Sequence, residues 1–236
     1  NDLLGGQYYL NIDSFAERDF ASNVALVQND LDYFLANGQA EKVVGGGKYG
    51  YDYLAQIRRA DVWANGIWTR GGFSAALAAT LGVDSFWREG LVRKGLFAGL
   101  DDNGQEISYD GRILTSYDEK GRVISSKGKS EVSTFFTWST KLALAYELAG
   151  GHRFSVNAGY FNDAPTFNQS FISARTRNSL VEDLTTVKTL SADANYQYNN
   201  SGYSLRVTGF YTGIKDQTDV MSFYDDSQHS FTNFAM

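Results

Sequence analysis

Apolar and polar side chains alternate along KLALAYELAGGHRFSVNAGY, from Lys141 to Tyr160. Leu142, Leu144, Tyr146 and Leu148 share one parity, with Lys141, Ala143, Ala145 and Glu147 on the other. Beyond the Gly-Gly turn, Phe154, Val156, Ala158 and Tyr160 repeat the pattern against Ser155, Asn157 and Gly159. A two-residue period predicts strands with unlike faces, here joined as a hairpin. The same alternation runs through Phe73, Ala75, Leu77, Ala79, Leu81 and Val83. It recurs through Lys188, Leu190, Ala192, Ala194, Tyr196 and Tyr198, and through Tyr203, Leu205, Val207, Gly209 and Tyr211. The pattern predicts antiparallel strands over 57–68, 73–84, 136–148, 153–161, 187–198 and 203–213. Their short Gly- or Asn-rich turns fall at 69–72, 149–152 and 199–202. The parity of 57–68 cannot be assigned from the sequence.

The links between these hairpins are much longer. About 50 residues separate Asp84 from Thr134 and about 25 separate Asn162 from Thr186, where about 4–6 is usual in a compact domain. Residues 1–53 read as a further irregular stretch, with a short helix expected at Asp13–Phe20. Short turns at one end and long loops at the other are the organisation of an outer-membrane barrel.

The aromatic positions point the same way. Phe136 and Trp138 lie at the loop end of their strand and Tyr146 at its turn end, with Leu142 and Leu144 between. Phe154 and Tyr160 bracket Val156 and Ala158. Tyr196, Tyr198 and Tyr203 sit near their turn, Tyr211 near the loops, and Leu190, Ala192, Leu205 and Val207 in the middle. Tyr and Trp favour the water–hydrocarbon boundary, so two aromatic belts around an aliphatic band describe a surface that meets lipid. A soluble β-sandwich, the competing reading, would bury its large aromatics centrally. On the barrel reading Lys141, Glu147, Asn157, Asp193 and Arg206 face the lumen, since a charge at mid-depth in lipid costs about 2–4 kcal/mol.

Composition narrows the partners. The 236 residues carry a net charge of −6 with a pI near 4.9, which argues against nucleic acid. There is no cysteine, hence no disulfide or thiolate chemistry. No apolar run approaches the roughly 18 residues of a membrane-spanning helix.

Five stretches carry a family likeness: DLLGGQYYLNIDSFAERDF (2–20), KYGYDY (48–53), SFWREGLVRKGLF (85–97), NAGYFNDAPTFNQSFISARTRN (157–178) and GFYTGIKDQTDVMSFYDD (209–226). They resemble the barrel of TonB-dependent outer-membrane receptors, in particular the SusC-like group with an N-terminal carboxypeptidase-like regulatory domain. ARTRN and KDQTDVMSFY are the most specific parts. The resemblance implies an all-β fold, a fragment of a large antiparallel transmembrane β-barrel with short periplasmic turns and long extracellular loops. It also implies a barrel of about 22 strands closed by a plug, of which this chain is expected to be a middle piece. The expected divisions are an extracellular loop region (1–53), a hairpin (54–84) and a long extracellular loop with an insertion (85–134). A hairpin (135–161), an extracellular loop (162–186), a hairpin (187–213) and a last loop with the start of the next strand (214–236) follow. The implied function is active import of a scarce or bulky nutrient, powered by TonB–ExbB–ExbD through a part outside this sequence. A passive porin and a structural or surface subunit of a larger outer-membrane assembly are the alternatives.

Candidate site residues lie at the loop ends. Arg175, Arg177 and Asn178 could bind an anionic or sugar ligand through guanidinium forks, or pin their loop to the plug or to neighbouring loops. Trp87, Arg88 and Glu89 sit just above the upper belt, Trp87 as an interface anchor or a sugar platform. Asp101, Asp102, Asn103 and Glu106 lack the spacing of a calcium loop and read as a solvated turn. His152 and His229 are far apart, and Gly45-Gly46-Gly47 lacks a phosphate-loop setting. No catalytic set, cofactor or metal is expected. The segment from about Ala98 to Lys129 is expected to form two small polar hairpins, at Asp110-Gly111 and at Tyr117–Arg122. It is expected to be exposed on the cell surface, where it meets a partner such as a surface lipoprotein or caps the lumen.

Overall fold

The structure, a computed structural model, describes residues 2–5, 30–38, 51–225 and 230–235. The helix expected at Asp13–Phe20, the Gly45–Gly47 run and His229 lie outside these residues. The described chain is all-β and mostly antiparallel. Its main sheet is a meander in sequence order: β1 (Asp2–Gly5), β2 (Asp52–Arg70), β3 (Phe73–Gly90), β9 (Ser133–Leu148), β10 (His152–Asp163), β11 (Val187–Asn199) and β12 (Ser204–Lys215). Four two-residue strands lie in the long link: β4 (Ser108–Tyr109), β5 (Arg112–Ile113), β6 (Ser116–Tyr117) and β7 (Val123–Ile124). They are followed by β8 (Gly128–Lys129), which adds to the loop end of β3. Among the described residues β1 and β12 remain the sheet's two edges, so it does not close on itself. A separate hairpin pairs β13 (Val220–Asp225) with β14 (Ser230–Ala235).

All six expected long strands are present, and β2 and β3 run past their expected ends. β3 continues through SFWREG to Gly90 because the backbone ladder to β2 persists to Tyr53↔Gly90. Loops cover both faces there, burying Phe86, Trp87 and Arg88, so the sequence loses its polarity alternation while the ladder goes on. Gly90 itself is obligatory: a Cβ there would sit 1.8 Å from the Ser126 carbonyl oxygen. The three tight turns lie together at one end. Glu147 donates its N–H to the Gly72 carbonyl at 2.8 Å, and Asn199 donates to the Gly151 carbonyl at 2.9 Å. Gly151, with φ of +83°, also has no room for a side chain, since a Cβ would lie 1.9 Å from the Asn199 oxygen.

The register assigns faces without ambiguity, because paired residues share a side. One face carries Val62, Trp68, Leu77, Leu81, Val83, Phe136, Leu142, Tyr146, Phe154, Val156, Leu190, Leu205, Val207 and Tyr211. Every one of these is exposed. The undecided parity of β2 resolves as a strand apolar on both sides: Val62 and Trp68 on this face, Ile57, Trp63 and Ile67 on the other.

The buried core sits at the loop end instead. Tyr53, Phe86, Phe167 and Phe171 form one cluster, with Phe167 and Phe171 brought in by the short helix α2 (Phe167–Ser170) and the residue after it. Leu31, Ala98 and Ile107 form a second, with Phe34 and Leu114 against it. Leu31 and Phe34 belong to α1 (Leu31–Asn37), which was not expected inside 1–53. Asp30 caps its start by accepting from the Asp32 N–H, and Gly38 closes it in the left-handed region.

Candidate functional site

The five polar candidates share one face. Lys141, Glu147, Asn157, Asp193 and Arg206 all have the parity opposite to the apolar residues, which follows from Asn157↔Asp193, Gly159↔Lys141 and Gln197↔Arg206 in the register. The structure links several of them. Asn157 donates to Asp193 at 2.8 Å, Asn195 donates to the same carboxylate at 2.5 Å, and Asn195 accepts from Arg206 and from Thr208 at 3.2 and 2.6 Å. Glu147 pairs with Arg153 at 3.3 Å, and Lys141 lies over the Phe161 ring at 5.4 Å. Beside them a shallow cavity of about 430 Å³ has small residues, Ala76, Ala78, Ala143 and Gly159, among its lining. Across β9, β10 and β11 this is a hydrophilic wall with its hydrogen bonds largely satisfied laterally, whereas β2 and β12 expose Trp63, Ile67 and Phe210 on the same side.

The loop-end candidates divide. Arg88 and Asn178 come together: the Arg88 guanidinium donates to the Ala174 carbonyl at 2.6 Å, to the Ser126 carbonyl at 2.8 Å and to the Asn178 side-chain oxygen, and lies over the Tyr53 ring at 5.0 Å. Asn178 in turn donates to the carbonyls of Lys127 and Gly128 at 3.3 and 3.1 Å. Arg88 is 1% exposed, so its fork is occupied by the chain's own carbonyls and fastens two loops to β3. Arg175 lies over Tyr51 at 5.5 Å and Arg177 over Phe97 at 4.9 Å, each on a different ring. Burial pushes the Arg177 pKa down, and its Nε has no hydrogen-bond partner. Trp87 is 9% exposed beneath two cations, Arg58 and Lys129, which removes it as an open sugar platform.

The inserted segment forms both expected hairpins. β4 pairs β5 around Asp110 and Gly111, both at positive φ as a type I′ turn requires, and β6 pairs β7. Asp101 accepts from the N–H groups of Asn103 and Gln105, so it closes a solvated turn, and the Gln105 bond holds its pKa below the usual range. Asp118 does the same with Lys120 and Arg122, the Arg122 N–H holding its carboxyl low. A cavity of about 680 Å³ separates the second hairpin from 178–184, and Glu182 crosses between them to Lys120 and Arg122 at 2.7 and 3.3 Å.

Sequence reasoning missed the clasp that supports this segment. Arg93, 6% exposed, donates to the carbonyls of Ala98 and Leu100, each at 2.6 Å, and to Asp32 of α1 at 2.7 Å. Lys127 reaches the other Asp32 oxygen. Burial would raise the Asp32 pKa, but the Lys127 hydrogen bond and the charges of Arg93 and Lys127 outweigh it and hold it low. The only sequence signal was the Asp30 and Gly38 pair bracketing an apolar turn.

Among the described residues no group of three or more His, Cys, Asp and Glu side chains gathers as a metal site. No described helix is long and apolar enough to cross a membrane. No known protein family, characterised protein or solved structure matches the chain.

Proposed function

We propose that this chain is part of the wall of an outer-membrane β-barrel transporter of the TonB-dependent kind it resembles, importing a scarce or bulky nutrient. The observation that carries the reading is the continuous exposed apolar face. It spans six long strands in register, has aromatics toward its ends and aliphatics between, and backs onto a face that is polar across β9, β10 and β11. An exposed patch of this extent is foreign to a soluble monomer, whose largest patch is about 300–600 Å². Lipid contact makes it favourable, and the opposite face then lines the lumen. In this reading the three turns face the periplasm and the loop layer faces outward. The loops anchored by Arg88 narrow the entrance, and TonB–ExbB–ExbD acts on a part outside this sequence.

The test uses the full-length gene in its own host. Uptake of a limiting nutrient should fall on deleting this gene or TonB, with the protein recovered in the outer-membrane fraction. Uptake that persists without TonB identifies a passive porin. Normal uptake with loss of an assembled neighbour identifies a structural subunit.

A further inference from the structure

Trp87 stands on the apolar face at the loop end of β3, directly above Ser85 and Val83. Two cations cover its ring: the Arg58 guanidinium carbon lies 4.8 Å from the centroid and the Lys129 Nζ 4.7 Å. Arg58 comes from the neighbouring β2, and Lys129 from β8, where it is opposite Glu89. Both cations are exposed. Among the described residues neither forms an ion pair, whereas Arg59, Arg93, Lys120, Arg122, Lys127, Arg153 and Lys188 all do. The ring attracts each cation through its quadrupole, but two like charges held on one indole repel each other. Their N–H donors have no protein acceptor among the described residues. Both donors are therefore open to an anion from outside the protein.

We propose that Arg58 and Lys129, held against Trp87, bind the phosphate of an anionic membrane lipid. A guanidinium fork and an ammonium are the pair that phosphate oxygens accept best, and an indole is at home at the headgroup boundary. A lipid fits better than a free anion because the site opens onto bare hydrocarbon. Val83, Leu81 and Val62 continue down the same face at 45%, 52% and 70% exposure, and acyl chains would cover them. The proposal rests on the membrane reading above and adds a specific contact to it.

The experiment uses the full-length protein, extracted in uncharged detergent and examined by native mass spectrometry. The probes are phosphatidic acid, diacylglycerol and inorganic phosphate, which separate phosphate plus chains, chains alone and phosphate alone. Wild type should retain at least one more phosphatidic acid than the Arg58→Gln/Lys129→Gln double variant, whose affinity should be weaker by about tenfold or more. The Arg58→Lys/Lys129→Arg variant should retain it. Diacylglycerol should not distinguish wild type from the Gln variant. Equal retention of phosphatidic acid by wild type and the Gln variant overturns the proposal, as does full displacement by inorganic phosphate, which marks a free-anion site. Recovery of the protein in the aqueous fraction without detergent would instead defeat the membrane reading, so the two failures are distinguishable.

Discussion

The long strands and the loop layer above them use their apolar residues in opposite ways. In the strands, Leu81, Leu142, Val156, Leu205 and Val207 point away from the protein, and pairing across β2, β3, β9, β10, β11 and β12 supplies the order. In the loop layer, Leu31, Ala98, Ile107, Phe167, Phe171 and Val181 turn inward, and buried polar groups such as Arg88, Arg93, Ser126 and Ser170 join the loops. A sheet that exposes its apolar face depends on its medium to make that exposure favourable. A layer that builds a core of its own depends on side-chain fit and on satisfied buried donors. The two regions should therefore respond to different perturbations.

The largest expected effect is in the loop layer. Arg88→Ala leaves the acceptors on Ser126, Ala174 and Asn178 without their donor and opens space beside Tyr53. A local loss of about 3–5 kcal/mol is expected, since bonds to a charged group are worth more than neutral ones. Hydrogen exchange should accelerate across 122–130 and 170–180 while the turn-end halves of the strands keep their protection. Equal acceleration throughout the strands would erase the distinction between the regions.

Next comes a pair of neighbouring substitutions in β9. Leu142→Arg places a charge on the apolar face and should cost about 2–4 kcal/mol in a bilayer. Ala143→Arg, one residue on and on the polar face, should stay within about 0.5 kcal/mol. Refolding into lipid vesicles measures both, and equal costs would contradict the assignment of faces.

A smaller effect concerns the clasp on α1. Asp32→Asn weakens the bonds from Arg93 and Lys127, and about 1–2 kcal/mol of local protection over 31–38 should be lost at neutral pH. The folded pKa of Asp32 lies below its ordinary value, so its contribution is present above that value and disappears as pH falls through the lowered one. Wild type should therefore keep its advantage down to the ordinary carboxylate range and match the variant only once the pH has fallen below the lowered pKa. The smallest effect belongs to Glu182→Gln. Its pairs with Lys120 and Arg122 are exposed, so their loss should cost about 0–1 kcal/mol and vanish in high salt.

How legible each region was follows from the same contrast. A strand with one apolar and one polar face writes its period into the sequence, so β9, β10, β11 and β12 could be placed within a few residues, as could the start of β3, whose far end lost the period and ran on to Gly90. β2 could not be assigned a parity because Trp63 and Ile67 are apolar on the face opposite Val62 and Trp68. The Asp110-Gly111 turn was legible because its backbone demands residues that tolerate positive φ. The polar candidates shared a face for the reason that made the strands visible. The Arg88–Asn178 clamp was not legible, because residues 90 positions apart meet only through loop packing. Arg175 and Arg177 looked like one site in sequence, yet each lies on a different ring.

In β9 the even-numbered face should meet lipid and the odd-numbered face water. These 236 residues have no cysteine, so single cysteines introduced from 141 to 146 can each carry a spin label once any cysteine elsewhere in the full-length protein is replaced. In the full-length protein in a bilayer, oxygen accessibility should peak at 142, 144 and 146, and access to a water-soluble nickel complex should peak at 141, 143 and 145. Loss of this alternation, or even-numbered positions shielded from oxygen and buried against protein, would contradict the account.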